Sequence, residues 1–477
     1  MATPIPPNTA PFSPAEVARA TGGTLVRDGK PFVGVSTDTR TITSGALYVA
    51  LRGESFDGHR FLTRAAAAGA GGVLISTAGD LPPSGAVIRV ADTRAALGAL
   101  GRLHRDRWGS IGNRRVLAVG GSAGKTTTTR AIAALLEVLR PGEVHTTPGN
   151  LNNDVGLPMT LFLLDEQHHF AVVEIGTSHR GEISQLAAIA RPDVGVLTLI
   201  APEHTEGIGT LEDVADEEGD LFAALPPDGC AIGNGDDPRV VAQAGRSPAG
   251  RRILYGFGEG CSLRALSRAP RGLGGSLVRV AFESGEPMEY EVALPGEAGT
   301  LAALAALAAA RALLEVVAPP AALREALLAV ARVRDGRFAV ETLADGTVLL
   351  DDTYNSNTGS AKSSLKTARE LADALGRRLV LVLGEMREMG PLAVQEHEEV
   401  ARAAVAADPA LLVAVNGEAE RFAAAAAGAG IAASFFPSGE EAVSHVLGAV
   451  RPGDVVLVKA SRGVRLETVA SALRAAR

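Results

Sequence analysis

Cysteine is nearly absent, with two residues, Cys230 and Cys261, in a chain of 477. That excludes a disulfide framework and suits a reducing compartment. Basic charge is not in excess either. The formal net charge is −8, so the electrostatic footprint of a nucleic-acid binder is missing. The first stretch, Ala2 to Pro14, has neither a basic start nor an apolar run and reads as a frayed, proline-rich tail rather than a leader. Leu301 to Ala318 is the most apolar long segment, but it is mostly alanine and is interrupted by Arg311 and Glu315. A packed helix is expected there, not a membrane span. These features describe a soluble cytoplasmic protein, expected to be a monomer.

The hydrophobic fraction, 46%, is ample for globular folding, and the length predicts about three domains. The most informative stretch is Val116 to Arg130, VLAVGGSAGKTTTTR. An apolar run enters a glycine turn, Gly120 to Gly124, and leaves through Lys125 and four threonines into a helical pattern. Strand, glycine turn, Lys-Thr and helix form a phosphate cradle, in which Gly121, Ser122, Ala123, Gly124, Lys125, Thr126 and Thr127 are the expected ATP contacts. The usual motif has about four residues between its first glycine and its Gly-Lys pair. Here only Ser122 and Ala123 separate Gly121 from Gly124, so the loop is a shortened one.

Before the cradle, residues 1–112 read as a small α/β unit. It has a helix from Pro14 to Ala20, a strand from Ala46 to Leu51, a helix from Arg60 to Ala68, and strands at Gly72 to Ile75 and Ala86 to Val90. After the cradle, residues 113–332 continue with an ordered loop, Asn150 to Pro158, too rich in amides, glycine and proline for a regular element. The buried-strand pattern Phe170 to Glu174 ends in a carboxylate, where a magnesium contact belongs beside a phosphate loop. His204 lies beyond the strand Val194 to Ile200. It is followed by the acidic run Asp213 to Asp220 on a helix starting near Thr210, read as a solvated face unless a cation offsets its repulsion. From about Val333 the composition shifts, and residues 333–477 alternate strands and helices with polar clusters at the strand ends. That pattern predicts a doubly wound parallel sheet.

Taken in order, these clusters resemble the Mur ligases over nearly the whole chain, and within them the branch that adds D-alanyl-D-alanine. The run Asn150-Leu151-Asn152-Asn153-Asp154-Val155-Gly156-Leu157-Pro158 is the most specific match. The resemblance implies an α/β protein of three domains: a UDP-sugar-binding unit, a central P-loop ATPase with a parallel sheet, and a Rossmann-like C-terminal unit. It also implies an ATP- and Mg2+-dependent ligase that joins D-alanyl-D-alanine to UDP-N-acetylmuramoyl-tripeptide through an acyl phosphate. Another amide ligase of Mur or folylpolyglutamate type, or a nucleotide-binding homologue without turnover, are the alternatives.

Carried residue by residue, the resemblance makes Lys125, His204 and Glu218 catalytic and makes Thr126, Glu174, His204 and Glu218 the metal-holding set. Arg337 and Asp352 join the nucleotide contacts, and Asn234 is expected to help hold the adenine or ribose where the family's own residues are missing. Ser36, Thr37, Asp38, Arg40 and Asp57 are assigned to the UDP-sugar. Asn150, Asn152, Asn153, Asp154, Tyr354, Asn355, Asn357, Lys459, Ser461 and Arg462 complete the substrate set. Two departures stand out. The family's carboxylated lysine is replaced by Glu218, expected to serve as a built-in carboxylate that supports a second magnesium. The family's Gly-x-His-Asn-x-x-Asn is Gly296-Glu297-Ala298-Gly299-Thr300-Leu301-Ala302 here, so the base must be held otherwise.

Overall fold

The computed structural model describes residues 4–53, 56–77 and 81–477. Glu54 and Ser55, shortly before His59, and the first three residues of the chain lie outside them. Three α/β units follow one another along the chain. The first carries a sheet in the order Thr24–Arg27, Ala86–Arg89, Gly72–Ile75, Leu47–Val49, Val35–Ser36, parallel except at its first pairing. The tail is not frayed in its described part. Asn8 lies along the edge strand, its side chain accepting from Val35 N (3.0 Å) and donating to Val35 O (2.8 Å), as a paired strand would. A helix absent from the sequence reading, Thr93–Gly109, closes this unit, capped by Asp92 through Arg94 N (2.7 Å).

The central sheet has nine strands, and Arg115–Gly120 lies between Phe170–Glu174 and Val194–Leu197, parallel to both. Alternation decides what each of its side chains packs against. Leu117 and Val119 join the core under helices Lys125–Leu139, Gly296–Leu314 and Pro320–Ala331. Val116 and Ala118 join the opposite core, under Glu182–Ala190 and Leu211–Ala223. Burial on both faces explains why these strands read as unbroken apolar runs. The alanine-rich helix Gly296–Leu314 has the length and hydropathy of a span, yet it lies mostly buried against the P-loop helix. It is a core helix, as expected, and its alanines permit the close approach.

The third unit is a six-stranded sheet, Ala339–Thr342, Val348–Asp352, Val455–Lys459, Leu379–Gly384, Leu411–Val415, Ala433–Phe436, antiparallel only at its first pair. Strand order reverses between Leu379–Gly384 and Val455–Lys459, so the carboxyl ends of these strands open onto a crevice. That crevice faces the P-loop. Asn357 Nδ2 donates to Ser122 O (2.9 Å), Thr205 Oγ1 to Met389 O (2.7 Å), and Arg130 pairs with Asp335 (2.5 Å).

Candidate functional site: a cleft shared by three units

A single cleft of about 1260 Å³ runs along the P-loop. The loop's shape follows from its glycines. Gly121 has φ 114°, and a Cβ there would stand 2.3 Å from Thr198 Oγ1. Gly124 (φ 84°) precedes the helix Lys125–Leu139, whose first turn has no side-chain cap, leaving its N–H groups toward the cleft.

Lys125 is held from two sides. Its Nζ donates to Gly121 O (2.5 Å) and pairs with Glu203 Oε1 (3.2 Å). Burial alone would depress its pKa, but the carboxylates of Glu203, Glu218 and Glu174 outweigh this and hold it above the ordinary lysine value. Beside it, Thr126 Oγ1 donates to Glu174 Oε2 (2.6 Å), and Asn152 Nδ2 donates to Glu174 Oε1 (2.7 Å). The strand-end carboxylate, the P-loop threonine and the asparagine-rich loop are thus one cluster. Among the described residues no three His, Cys, Asp or Glu side chains form a closed metal cage. The Thr126–Glu174 oxygen pair nevertheless fits magnesium, which keeps waters and takes one or two carboxylates plus substrate phosphates.

Two expectations for the acidic helix are corrected. The helix Leu211–Ala223 forms behind a Thr210 capping box, but Glu217 and Glu218 are buried, not solvated. Glu217 accepts from Gly181 N (2.6 Å), Ile183 N (2.8 Å) and Thr177 Oγ1 (3.2 Å), which fastens the start of the helix Glu182–Ala190. Glu218 lies behind the P-loop and does not line the cleft. Its Oε2 accepts from Gly121 N (2.6 Å), and Oε1 is buried with no hydrogen-bond partner among the described residues. Burial pushes its pKa up to about 7 against the pull of Lys125. A carboxylate on this short stem is drawn to the loop amide instead of reaching the cleft. The side chain that does reach it is Glu203, which the sequence reading passed over. Its significance depends on Lys125, 78 residues earlier.

His204 lines the cleft in a left-handed backbone conformation (φ 48°), with Nδ1 2.5 Å from Glu388 Oε2 of the third unit. Burial lowers its pKa, but Glu388 and Glu203 reverse this and leave it raised; Glu388 is lowered in turn by the same pair.

The remaining expected residues divide. Ser122, Ala123, Thr127, Asn234, Arg337, Asp352, Asn150, Asn153, Asp154, Tyr354, Asn355, Asn357 and Lys459 all line the cleft. Asp352 is already committed, accepting from Lys459 Nζ (2.6 Å), Ser364 Oγ (2.7 Å) and Phe338 N (3.0 Å), so it ties the strand end to the segment that carries Arg337. The Arg337 guanidinium lies over the Tyr354 ring at 3.7 Å, with Arg462 at 5.3 Å. Ser461 lies outside the cleft lining, accepting from Arg387 N (2.9 Å) and donating to Ser356 O (3.2 Å).

Ser36, Thr37, Asp38 and Arg40 lie apart from the cleft, near Ile5 to Asn8 of the tail, with Asp38 and Arg40 closed on each other (2.6 Å). Asp57 is spent on His59, through N (3.0 Å) and Nδ1 (2.7 Å), so its carboxylate shapes a turn where a substrate contact was expected. Leu294, Ala298, Leu301 and Ala302 line another part of the cleft with carbon. The first unit reaches the site through Arg94, whose Nη1 pairs with Asp154 (2.6 Å).

Comparison with known proteins identifies the family. Family models match residues 119–310 (Mur ligase middle domain), 336–462 (Mur ligase, glutamate ligase domain) and 31–105 (Mur ligase family, catalytic domain). The chain is 33% identical to the UDP-N-acetylmuramoyl-tripeptide--D-alanyl-D-alanine ligase of Escherichia coli, over 92% of this chain and 93% of the relative. It is also 33% identical to the enzyme of that name from Mycobacterium tuberculosis, over 92% and 91%. Among solved structures, MurF from Acinetobacter baumannii superposes with a TM-score of 0.83 at 28% identity, covering 99% of this chain and all of that one. MurF from Thermotoga maritima in complex with ADP gives 0.79 at 25% identity, over 93% and 97%.

Proposed function

The chain belongs to the Mur ligase family, and on that premise we propose that it is a ligase of the MurF type, joining D-alanyl-D-alanine to UDP-N-acetylmuramoyl-tripeptide at the expense of ATP. The observation that carries this reading is the shared cleft. A P-loop, an asparagine-rich loop tied to the first unit and a strand-end cluster of the third unit face one space, as a reaction of three substrates requires. The work belongs to cytoplasmic assembly of peptidoglycan precursors.

The chemistry runs in two steps. The terminal carboxylate of the tripeptide attacks the γ-phosphorus of ATP, the bond to the bridging oxygen breaks, and ADP leaves. The amine of the dipeptide then attacks the acyl carbon, phosphate leaves and a proton is released. The protein's part is positioning and charge neutralisation. Lys125 and the loop N–H groups hold the phosphates. Thr126 and Glu174 would hold a magnesium ion, which supplies further neutralisation of developing phosphate charge. Asn152 keeps the Glu174 carboxylate in place, and Arg94 aligns the loop through Asp154. Tyr354, Asn355 and Lys459 form the wall for the incoming dipeptide, and Arg337, stacked on Tyr354, closes over the nucleotide. Ser36 to Arg40 are left to the distant UDP end of the substrate.

Because glutamate stands in place of the carboxylated lysine, turnover is expected to be indifferent to bicarbonate. The test is mass spectrometry of UDP-muramoyl-tripeptide incubated with ATP, magnesium and D-alanyl-D-alanine in CO2-stripped buffer. The expected product has gained the dipeptide less one water. A tripeptide left unchanged while ATP binds tightly would refute the assignment.

A further inference from the structure

Lys125 already has an anion. Glu203 comes off the loop after the strand Val194–Leu197, and its side chain is 5% exposed. Its Oε1 faces Lys125 Nζ at 3.2 Å, and its Oε2 accepts from Asn357 Nδ2 at 3.2 Å. The same Asn357 nitrogen donates to the P-loop carbonyl of Ser122 (2.9 Å). Glu203 therefore spans the two units at the ammonium that should face the terminal phosphates. Glu218, the carboxylate placed by sequence for the second cation, is turned away behind the loop, bonded to Gly121 N.

Resting on the reading that ATP occupies this P-loop, we propose that Glu203, not Glu218, is the carboxylate that holds the second magnesium, and that without nucleotide it occupies Lys125 in place of phosphate. A triphosphate and a buried carboxylate sharing one ammonium repel each other. Two resolutions exist: the carboxylate swings away, or a divalent cation lies between it and the phosphate oxygens. His204, next in the chain, lines the same wall of the cleft. Nucleotide binding is therefore penalised without magnesium and strongly rewarded with it, and the residue responsible is Glu203.

Calorimetric titration with a non-hydrolysable ATP analogue, in EDTA and in magnesium, tests this without turnover. Glu203→Gln removes the competing charge and keeps the shape. It should tighten magnesium-free binding by about tenfold and lose most of the magnesium-dependent gain shown by the wild type. Glu218→Gln should retain that gain. Unchanged magnesium-free affinity in Glu203→Gln, or loss of the gain in Glu218→Gln instead, would overturn the proposal. Wild-type protein gives an independent reading that needs no variant: equal affinity in EDTA and magnesium overturns it, and at least a tenfold difference supports it. Failure to bind the analogue in either buffer would overturn the nucleotide reading itself, a result distinct from the others.

Discussion

At the scale of single residues, buried charge and its partners decide most of what can be measured. Replacing Lys125 by Met should lower kcat/KM by about 10²–10³-fold, since phosphate charge loses its nearest counter-charge. A Lys125→Met variant within tenfold of wild type would contradict the role. Glu217 serves stability instead. Its carboxylate satisfies three donors in a buried corner, so Glu217→Ala should cost about 2–4 kcal/mol in urea unfolding, with Glu217→Gln losing less. A cost under about 0.5 kcal/mol would show that these donors find other partners. His145 gives a pH signature. Burial, then the neighbouring His168, depresses it from 6.5 to about 4. The unfolded chain thus takes up a proton that the folded chain refuses. Stability tied to neutral His145 is complete above pH 6.5 and is lost as pH falls toward 4, on the order of 3 kcal/mol at most. The His145→Gln variant should flatten the stability profile across that window; an unchanged slope would assign the effect elsewhere.

At the scale of elements, the P-loop separates two kinds of glycine. Gly121 is hemmed in, so Gly121→Ala must push against Thr198 as well as adopt a disfavoured φ. Gly124 shares the positive φ, but its missing Cβ would meet nothing nearer than Thr198 Cβ at 4.0 Å. Nucleotide affinity should therefore fall much further in Gly121→Ala than in Gly124→Ala, and equal losses would contradict the crowding at Thr198. Elements buried on both faces were the most legible in sequence. Phe170–Glu174 and Gly72–Ile75 read correctly end to end because apolar runs and flanking turns mark them. The helix Thr93–Gly109 did not, because Thr93, Gly98, Gly101 and His104 interrupt the apolar stripe of Ala96, Leu97, Leu100 and Trp108 on its buried side. The acidic helix misled in the other direction. Charge density alone suggests solvation, and only the backbone donors of Gly181, Ile183 and Gly121, distant in sequence, make burial of Glu217 and Glu218 tolerable. Glu203 was illegible for the same reason, whereas Lys125, Thr126 and Glu174 carry local signatures.

At the scale of the whole molecule, the site exists only where the units meet. Arg268 pairs with Glu370 (2.5 Å) and Lys366 with Glu297 (2.6 Å), tying the helix Thr358–Leu375 to the central unit beside the cleft. Substituting both Glu370 and Lys366 with alanine should loosen this closure. Small-angle scattering should then show a larger radius of gyration, and KM for ATP should rise more than kcat falls; an unchanged radius would mean the remaining contacts suffice. Within this cleft the peptide carboxylate is expected to pass through an acyl phosphate. Tripeptide labelled with 18O in its terminal carboxylate, incubated with ATP, magnesium and D-alanyl-D-alanine, tests it directly. One labelled oxygen should appear in each phosphate released, and phosphate release should need both peptide substrates. Unlabelled phosphate, or release without the tripeptide, would contradict the account.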